Sequence, residues 1–275
     1  MGGEGGGIVS TNPCADALLV RLVAPERIAA ISHYSHDPAA TSLPLAVARR
    51  IRATAGTAEE VIALRPSLVL ASSFTPASTR AAYARAGLRT LYLDSPTTVA
   101  ASVAQVREVA GAVGEVEQGE VMARSIALSL TPPRRRPGPS IGPVGGEGQP
   151  ATTRFVATGP RPSPGREERP SALFYIAGDL ANGSGTLLDE LTRLGGFRNA
   201  AADYGLAHTG TLPAELLVAR PPDVIISSGE GRSAALRRRL LPRTPRAVFD
   251  RRLVNCGGPA IPAALARLRA IRAGL

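Results

Sequence analysis

One sequence unit occurs twice in this chain of 275 residues. Residues 58–73 are AEEVIALRPSLVLASS, and residues 214–229 are AELLVARPPDVIISSG. Each copy contains an acidic residue in an apolar helical turn, a proline at which the helix must end, and a hydrophobic run typical of a buried parallel strand. The unit therefore predicts an α/β fold. Because helix–proline–strand units occur throughout α/β proteins, the repeat alone leaves open whether the chain forms one lobe or two.

Strand and helix patterns alternate over residues 8–96. Apolar runs predict four strands, which contain the sequences IVST, RIAAIS, LVLAS and RTLYLD. Thr57 and Glu60 have the spacing of a capping box, which predicts the start of the helix in the first copy. Since this alternation indicates βα units around a parallel sheet, we predict an N-terminal α/β lobe over residues 8–96.

The middle of the chain has no strand signal. In residues 97–130 apolar residues recur every three or four positions, which predicts either one long helix or a helix pair broken near Gly114. Residues 131–170 contain ten of the 24 prolines and bury too little apolar area to offset chain entropy, so we predict a disordered insert there. Over residues 171–275 strands and helices alternate again, which predicts a C-terminal α/β lobe that carries the second copy.

The composition limits the classes of partner. The formal net charge of +10 suggests nucleic acid, but all 32 basic residues are arginine, which indicates a compositional bias, and we predict no nucleic-acid partner. No apolar run approaches the roughly 18 residues that a membrane span needs. Cys14 and Cys256 are too few for a disulfide framework and are compatible with a reduced compartment or with one bridge.

Four segments carry a family resemblance. In chain order they are IVSTNPCADALLVRLVAPERIAAIS, AEEVIALRPSLVLAS, LGGFRNAAADYG and AELLVARPPDVIIS. Over residues 8–130 and 171–275 the chain resembles the substrate-binding proteins of ABC importers for cobalamin, haem and iron–siderophore complexes. The resemblance implies two α/β lobes, each with a mainly parallel central sheet flanked by helices, joined by one long helix as in class III periplasmic binding proteins.

The same resemblance implies a function. A periplasmic monomer would capture a metal chelate between its lobes and deliver it to a membrane permease, with no cofactor, catalytic residue or metal-ligating residue of its own. Each lobe in this family presents one surface glutamate to arginines of the permease, which assigns docking to Glu59 and Glu215. Carboxylate suits this role because it pairs bidentately with guanidinium. The competing interpretation is that both acids only stabilise helix N-termini.

Loops at the carboxyl ends of parallel strands bind ligands in α/β lobes, and they supply the candidate ligand contacts. The resemblance to cobalamin-binding members supports Tyr34 and adds His208. The predicted ligand-binding residues are Pro13, Cys14, His33, Tyr34, His36, Ser73, Phe74, His208, Asn255 and Cys256. Two alternatives stay open: one of the histidines or cysteines contacts the metal centre of the chelate, or these are ordinary polar loop residues.

An enzyme is the main alternative to a binding protein. The chain contains no G-x-S-x-G, Walker A, H-E-x-x-H or strand-linked G-x-G-x-x-G motif, so we predict no catalytic activity. The alternative function is a metal-chelate or tetrapyrrole-processing enzyme of a related two-lobed fold. The opening residues, MGGEGGGIVST, have no basic stretch followed by an apolar one and predict no signal peptide, although the resemblance implies a periplasmic location.

Overall fold

The N-terminal lobe is built on a parallel sheet. The computed structural model describes residues 6–131, 169–229, 232–254 and 256–275, so the predicted insert lies outside the described residues except at its ends. The lobe contains the strands β1 (Gly6–Ser10), β2 (Ile28–Ser32), β3 (Ala53–Thr54), β4 (Pro66–Ser72) and β5 (Thr90–Leu93). Their order is β3-β2-β1-β4-β5, and every pair is parallel, as predicted. The helices are α1 (Pro13–Leu22), α2 (Leu45–Ala48), α3 (Ala58–Ala63) and α4 (Ala77–Arg85).

The C-terminal lobe has a mixed sheet. Its strands are β6 (Ser171–Ala177), β7 (Leu180–Ala181), β8 (Arg198–Asn199), β9 (Gly210–Thr211), β10 (Val224–Ser227) and β11 (Arg246–Val248). The order is β11-β10-β6-β7-β9, with β8 also paired to β6. Strand β7 is antiparallel to both of its neighbours, and the chain reverses between β6 and β7 at Gly178, where φ is 45°.

Two helices lie between the last strand of the N-terminal lobe and the first strand of the C-terminal lobe. Before the second lobe come α5 (Val99–Val113) and α6 (Val116–Leu130), and within that lobe lie α7 (Leu187–Leu194), α8 (Ala214–Ala219), α9 (Arg232–Leu240) and α10 (Ile261–Ala273). Gly114 has φ 79° and ends α5, a left-handed conformation that glycine adopts without strain. The helices then lie side by side, since a Cβ on Gly119 would be 2.4 Å from the Ala110 Cβ and Arg107 pairs with Glu120 at 2.6 Å. The predicted alternative, a pair broken near Gly114, is correct.

The largest buried cluster is continuous from one lobe to the other. It includes Leu70 of β4, Val106 of α5 and Ile226 of β10, so the connecting helices join the inner faces of both sheets. Val69 and Ile225 are next to the two strand residues in sequence and face the opposite side, where they belong to separate outer clusters. Each sheet therefore has one face toward the shared core and one toward its own outer helices.

Candidate functional site

A cavity of about 310 Å³ lies between the carboxyl edges of the two sheets. The N-terminal lobe contributes the segment after β1, the end of β4 and the segment after β5. The C-terminal lobe contributes the end of β6, the start of α7 and the segment before α10. The cavity-lining side chains include Asn12, Cys14, Ser72, Asp94, Gln105, Ile176, Asn182, Thr186, Leu188 and Cys256. This is the position at which parallel-sheet lobes place a ligand site.

A disulfide crosses from one lobe to the other at this cavity. Cys14, in the first turn of α1, is bonded to Cys256, before α10, with the Cα atoms 5.2 Å apart. The Asn12 side chain caps α1 by accepting a hydrogen bond from the Cys14 amide at 2.9 Å. Of the possibilities left open by the sequence, the bridge is the one that forms. Neither cysteine offers a thiolate to a metal in this state, so the metal-contact alternative is wrong for both.

Helix α1, which contributes Cys14 and Leu18 to the cavity, also carries a buried carboxyl group. Asp16 of α1 is fully buried and accepts hydrogen bonds from the Ser35 hydroxyl at 2.6 Å and the Ser32 amide at 3.1 Å. Its second oxygen, Oδ1, has no hydrogen-bond partner among the described residues. Burial raises the pKa of Asp16 to about 7, and the hydrogen bonds only partly oppose that shift. The signal in the sequence is an aspartate on the apolar face of α1.

The C-terminal side rests on a more complete polar network. Thr186 caps α7 by accepting from the Asp189 amide and donates to the Asn182 side chain, both at 3.0 Å. Buried Asp189 accepts from Asn199 Nδ2 at 3.0 Å and from the Gly185 amide at 3.1 Å. These bonds hold the first turn of α7, which lines the cavity, in place.

A further contact joins this turn to the connecting helices. Glu190 of α7 accepts a hydrogen bond from the Val99 amide at 2.7 Å, across 91 positions of the chain. Val99 is the first residue of α5, where unpaired amides and the helix dipole favour a carboxylate. The contact orients the C-terminal lobe on the connection.

The fold matches that of known proteins. Residues 8–131 match the family model described as periplasmic binding protein. No curated protein sequence matches the chain significantly. The match and the two-lobed architecture decide the fold. This is a periplasmic binding protein fold.

Solved structures of this fold cover nearly the whole chain. The periplasmic haem-binding protein RhuT from Roseiflexus sp. RS-1 is 20% identical, covers 97% of this chain over 96% of its own and has a TM-score of 0.67. The haem-binding protein HutB of Vibrio cholerae is 16% identical, with 96% and 97% coverage and a TM-score of 0.70. The vitamin B12-binding protein BtuF of Vibrio cholerae is 14% identical, with 98% and 96% coverage and a TM-score of 0.65. The resemblance and the α/β two-lobed class predicted from the sequence are confirmed.

Within this periplasmic binding protein fold, Cys14 and Cys256 line the cavity, and the other seven predicted ligand contacts that the structure describes do not. His33, Tyr34 and His36 lie in a 3-10 turn after β2. The His36 Nε2 is within 2.9 Å of the Ala48 carbonyl and 3.1 Å of the Ile51 carbonyl, so this ring is bonded to its own lobe.

Two aromatic side chains stay exposed at the carboxyl edge of the N-terminal sheet. Tyr34 is 51% exposed with its ring 4.1 Å from that of His33, and Phe74, after β4, is 80% exposed. Both rings are therefore accessible to a ligand or a partner.

The other predicted contacts have different positions. Pro13 begins α1, and the Ser73 amide continues the sheet by donating to the Leu93 carbonyl at 2.9 Å. His208 is exposed, and its backbone passes so close to Gly183 that any Cβ there would lie 2.2 Å from it. Asn255 lies outside the described residues. Among the described residues no group of three or more His, Cys, Asp or Glu is placed to hold a metal ion.

Glu59 and Glu215 occupy equivalent positions in the two lobes. Each is exposed in the first turn of its helix, α3 or α8, and neither forms an ion pair with any described residue. Two residues further on, Val61 and Leu217 are buried in the outer cluster of their lobe. The helices are thereby anchored with both carboxylates directed to solvent.

Proposed function

We propose that this protein is the substrate-binding component of an ABC importer and captures a metal chelate between its two lobes. The observation that carries the proposal is the cavity between the carboxyl edges of both sheets, in a fold whose solved examples include haem-binding and vitamin B12-binding proteins. The chelate is haem, an iron–siderophore complex or cobalamin. Exposed Tyr34 and Phe74 would cover a flat face of it, because aromatic rings bury large areas with few rotatable bonds.

We further infer that Glu59 and Glu215 dock the loaded protein, as a monomer, on a membrane permease. Support comes from their equivalent positions and exposure on the outer helices. A carboxylate that is unpaired in the free protein gives up no internal bond when it meets a guanidinium on a partner. A permease with one acceptor for each lobe needs two such carboxylates.

The proposed location is the periplasm. A disulfide between Cys14 and Cys256 supports it, because such bonds persist in oxidising compartments and are rare in the cytosol. Among the described residues, no helix combines the length and the apolar character needed to cross a membrane.

A thermal-shift screen tests the proposed function. Hemin, cyanocobalamin, ferric citrate and ferrichrome would each be added at increasing concentration, with the metal-free ligands as controls. A ligand that binds only the native state raises Tm, because it adds to the free energy of unfolding. That added free energy grows with the logarithm of the ligand concentration and is about 2.7 kcal/mol at a hundred times Kd. The absence of any shift with every chelate tested would contradict the proposal. Conversion of a chelate to a product would favour the alternative, a chelate-processing enzyme.

A further inference from the structure

A second recess lies beside the end of β6 in the C-terminal lobe. It has a volume of about 90 Å³ and is lined by three arginines, Arg232, Arg237 and Arg251, while none of its described lining residues is acidic. Tyr175 and Ala177 line it, whereas Ile176 between them lines the main cavity. The two spaces therefore lie on opposite faces of the end of one strand.

One of the three arginines is part of the wall. Buried Arg237 pairs with Asp179 at 2.8 Å, and its guanidinium lies 3.7 Å from the centre of the Tyr175 ring. The Ser233 hydroxyl donates to the other oxygen of Asp179 at 2.9 Å. Because the Asp179 carboxylate offsets this charge, Arg237 shapes the recess without adding net charge to it.

The other two arginines are not neutralised. Neither Arg232 nor Arg251 pairs with a carboxylate among the described residues. Arg251 donates one N–H to the Ala39 carbonyl of the opposite lobe at 3.2 Å, which leaves other donors of its guanidinium unused. The recess therefore presents two guanidinium groups whose charge is not compensated by a described residue.

The recess adjoins a wider space that residues of both lobes line, among them one carboxylate, Asp250, which is paired with Arg252. Ser228 and Arg251 also line a wider opening, to which Pro38 of the N-terminal lobe contributes. The Ser228 hydroxyl donates to the Ile176 carbonyl at 3.0 Å, and the Ser227 hydroxyl donates to the Gly229 carbonyl at 3.4 Å. Since both hydroxyl protons are engaged, the guanidinium groups are the donors available to a ligand.

We propose that this recess is a carboxylate subsite, so that the protein selects chelates with free carboxylate groups over neutral chelates. The inference rests on the proposed function, because it assigns the acidic group of the captured chelate to Arg232 and Arg251. Planar guanidinium matches carboxylate in two parallel hydrogen bonds, a match that an ester or an amide cannot reproduce. A single carboxylate group fits the volume of the recess.

Paired titrations test this assignment. Binding of hemin would be compared with that of its dimethyl ester, which keeps the metal and the ring, and binding of free citrate with that of its triethyl ester. The variant is Arg232→Gln with Arg251→Gln. The matched control is Arg85→Gln with Arg89→Gln, which removes two exposed charges from the other lobe. Each of the four ligands is titrated by calorimetry into the unaltered protein, the recess variant and the control variant, at low and high salt.

We expect the acid forms to bind at least about tenfold more tightly than the esters, and the recess variant to remove that ratio, as loss of charged hydrogen bonds predicts. The control should keep it. Equal binding of hemin and its ester would overturn the subsite and leave the proposed function intact. If no chelate binds while citrate binds in an Arg232- and Arg251-dependent manner, the subsite stands and the proposed function fails. If neither anion binds more tightly than its ester, the subsite is wrong.

Discussion

The two copies of the helix–proline–strand unit occupy equivalent places in the two lobes. Val61 and Leu217, at matching positions, are the residues that bury α3 and α8. In the strands of the two copies, Leu68 and Val224 occupy matching positions and face the shared core. The residue after each of them faces the outer cluster of its own lobe. The sequence repeat alone was compatible with one lobe or with two. In the structure its two copies pack in the same way on two different sheets.

The copies differ where the helix ends. Arg65 has φ 46° and turns the chain directly into Pro66, the first residue of β4. The matching residue in the second copy is Pro221, whose ring prevents a positive φ, and there the chain leaves the helix at Arg220, where φ is −143° and ψ is 80°. The apolar residues of the strand therefore set where the strand lies in its sheet. The backbone between helix and strand adopts a different conformation in each copy, according to the residues found there.

The lobes also differ in the buried aspartate beside the cavity. Asp16 has one oxygen without a partner among the described residues, whereas Asp189 uses both oxygens. Burial is the main cause that raises the pKa of Asp16 to about 7, and its hydrogen bonds only partly oppose it. The N-terminal lobe therefore contains a group that titrates near neutral pH.

The largest expected effect tests the functional equivalence of the two copies. Reversal of Glu59 and Glu215 to arginine should reduce uptake by a reconstituted importer to background, because each like-charge contact repels the permease. Each single reversal should reduce uptake by a similar factor. Chelate affinity should stay unchanged, since neither residue lines the cavity. Glu117→Arg on α6 is the control, and normal uptake by the double variant would show that the copies share only their fold.

Removal of the bond between the lobes has the next largest expected effect. Cys14→Ser with Cys256→Ser should lower the free energy of unfolding by about 3–5 kcal/mol, because the bridge closes a loop of more than 240 residues in the unfolded chain. Urea titration of this variant, and of the unaltered protein with and without reductant, measures the change. A midpoint that does not respond to either treatment would mean that the shared core alone holds the lobes together.

Asp16→Asn should change how the free energy of unfolding depends on pH. The pKa of Asp16 is about 7 in the folded protein against 3.8 as a reference, so the native state binds the extra proton and stability falls as the pH rises from about 4 to 7. In the variant the free energy of unfolding should no longer fall over this pH range, and at pH 8 it should be a few kcal/mol higher than in the unaltered protein. Asp189→Asn should instead destabilise the protein by about 1–3 kcal/mol, since one hydrogen-bond acceptor is lost. Urea unfolding at four pH values checks both, and an unchanged slope in Asp16→Asn would contradict the assignment.

The smallest expected effect concerns the helix ends. Arg65→Gly should stabilise by up to about 1 kcal/mol, because glycine adopts positive φ without the penalty that Arg65 bears. Pro221→Gly should destabilise, because it only adds freedom to the unfolded chain. Thermal melts of the two variants decide the point, and a loss of stability in Arg65→Gly would show that the arginine side chain makes a compensating contact.

Part of the site was predictable from the sequence. The cavity lies at the carboxyl edges of the sheets, as the strand–helix alternation predicted, and the Cys14 and Cys256 loops meet there. His36 and Asp16 could not be placed in the same way. Whether an imidazole meets a ligand or a neighbouring carbonyl, and whether a carboxyl group finds its donors, depends on segments that are distant in sequence.

The sequence by itself determined the order and type of most helices and strands, because apolar periodicity, proline and glycine act over a few residues. Only the tertiary structure decided the Cys14–Cys256 bond, the antiparallel β7, the folding back of α6 on α5 at Gly114, and the arginine-lined recess. These features are contacts between positions far apart in the chain. Their free energy comes from burial and pairing that exist only once both lobes have formed around the shared core.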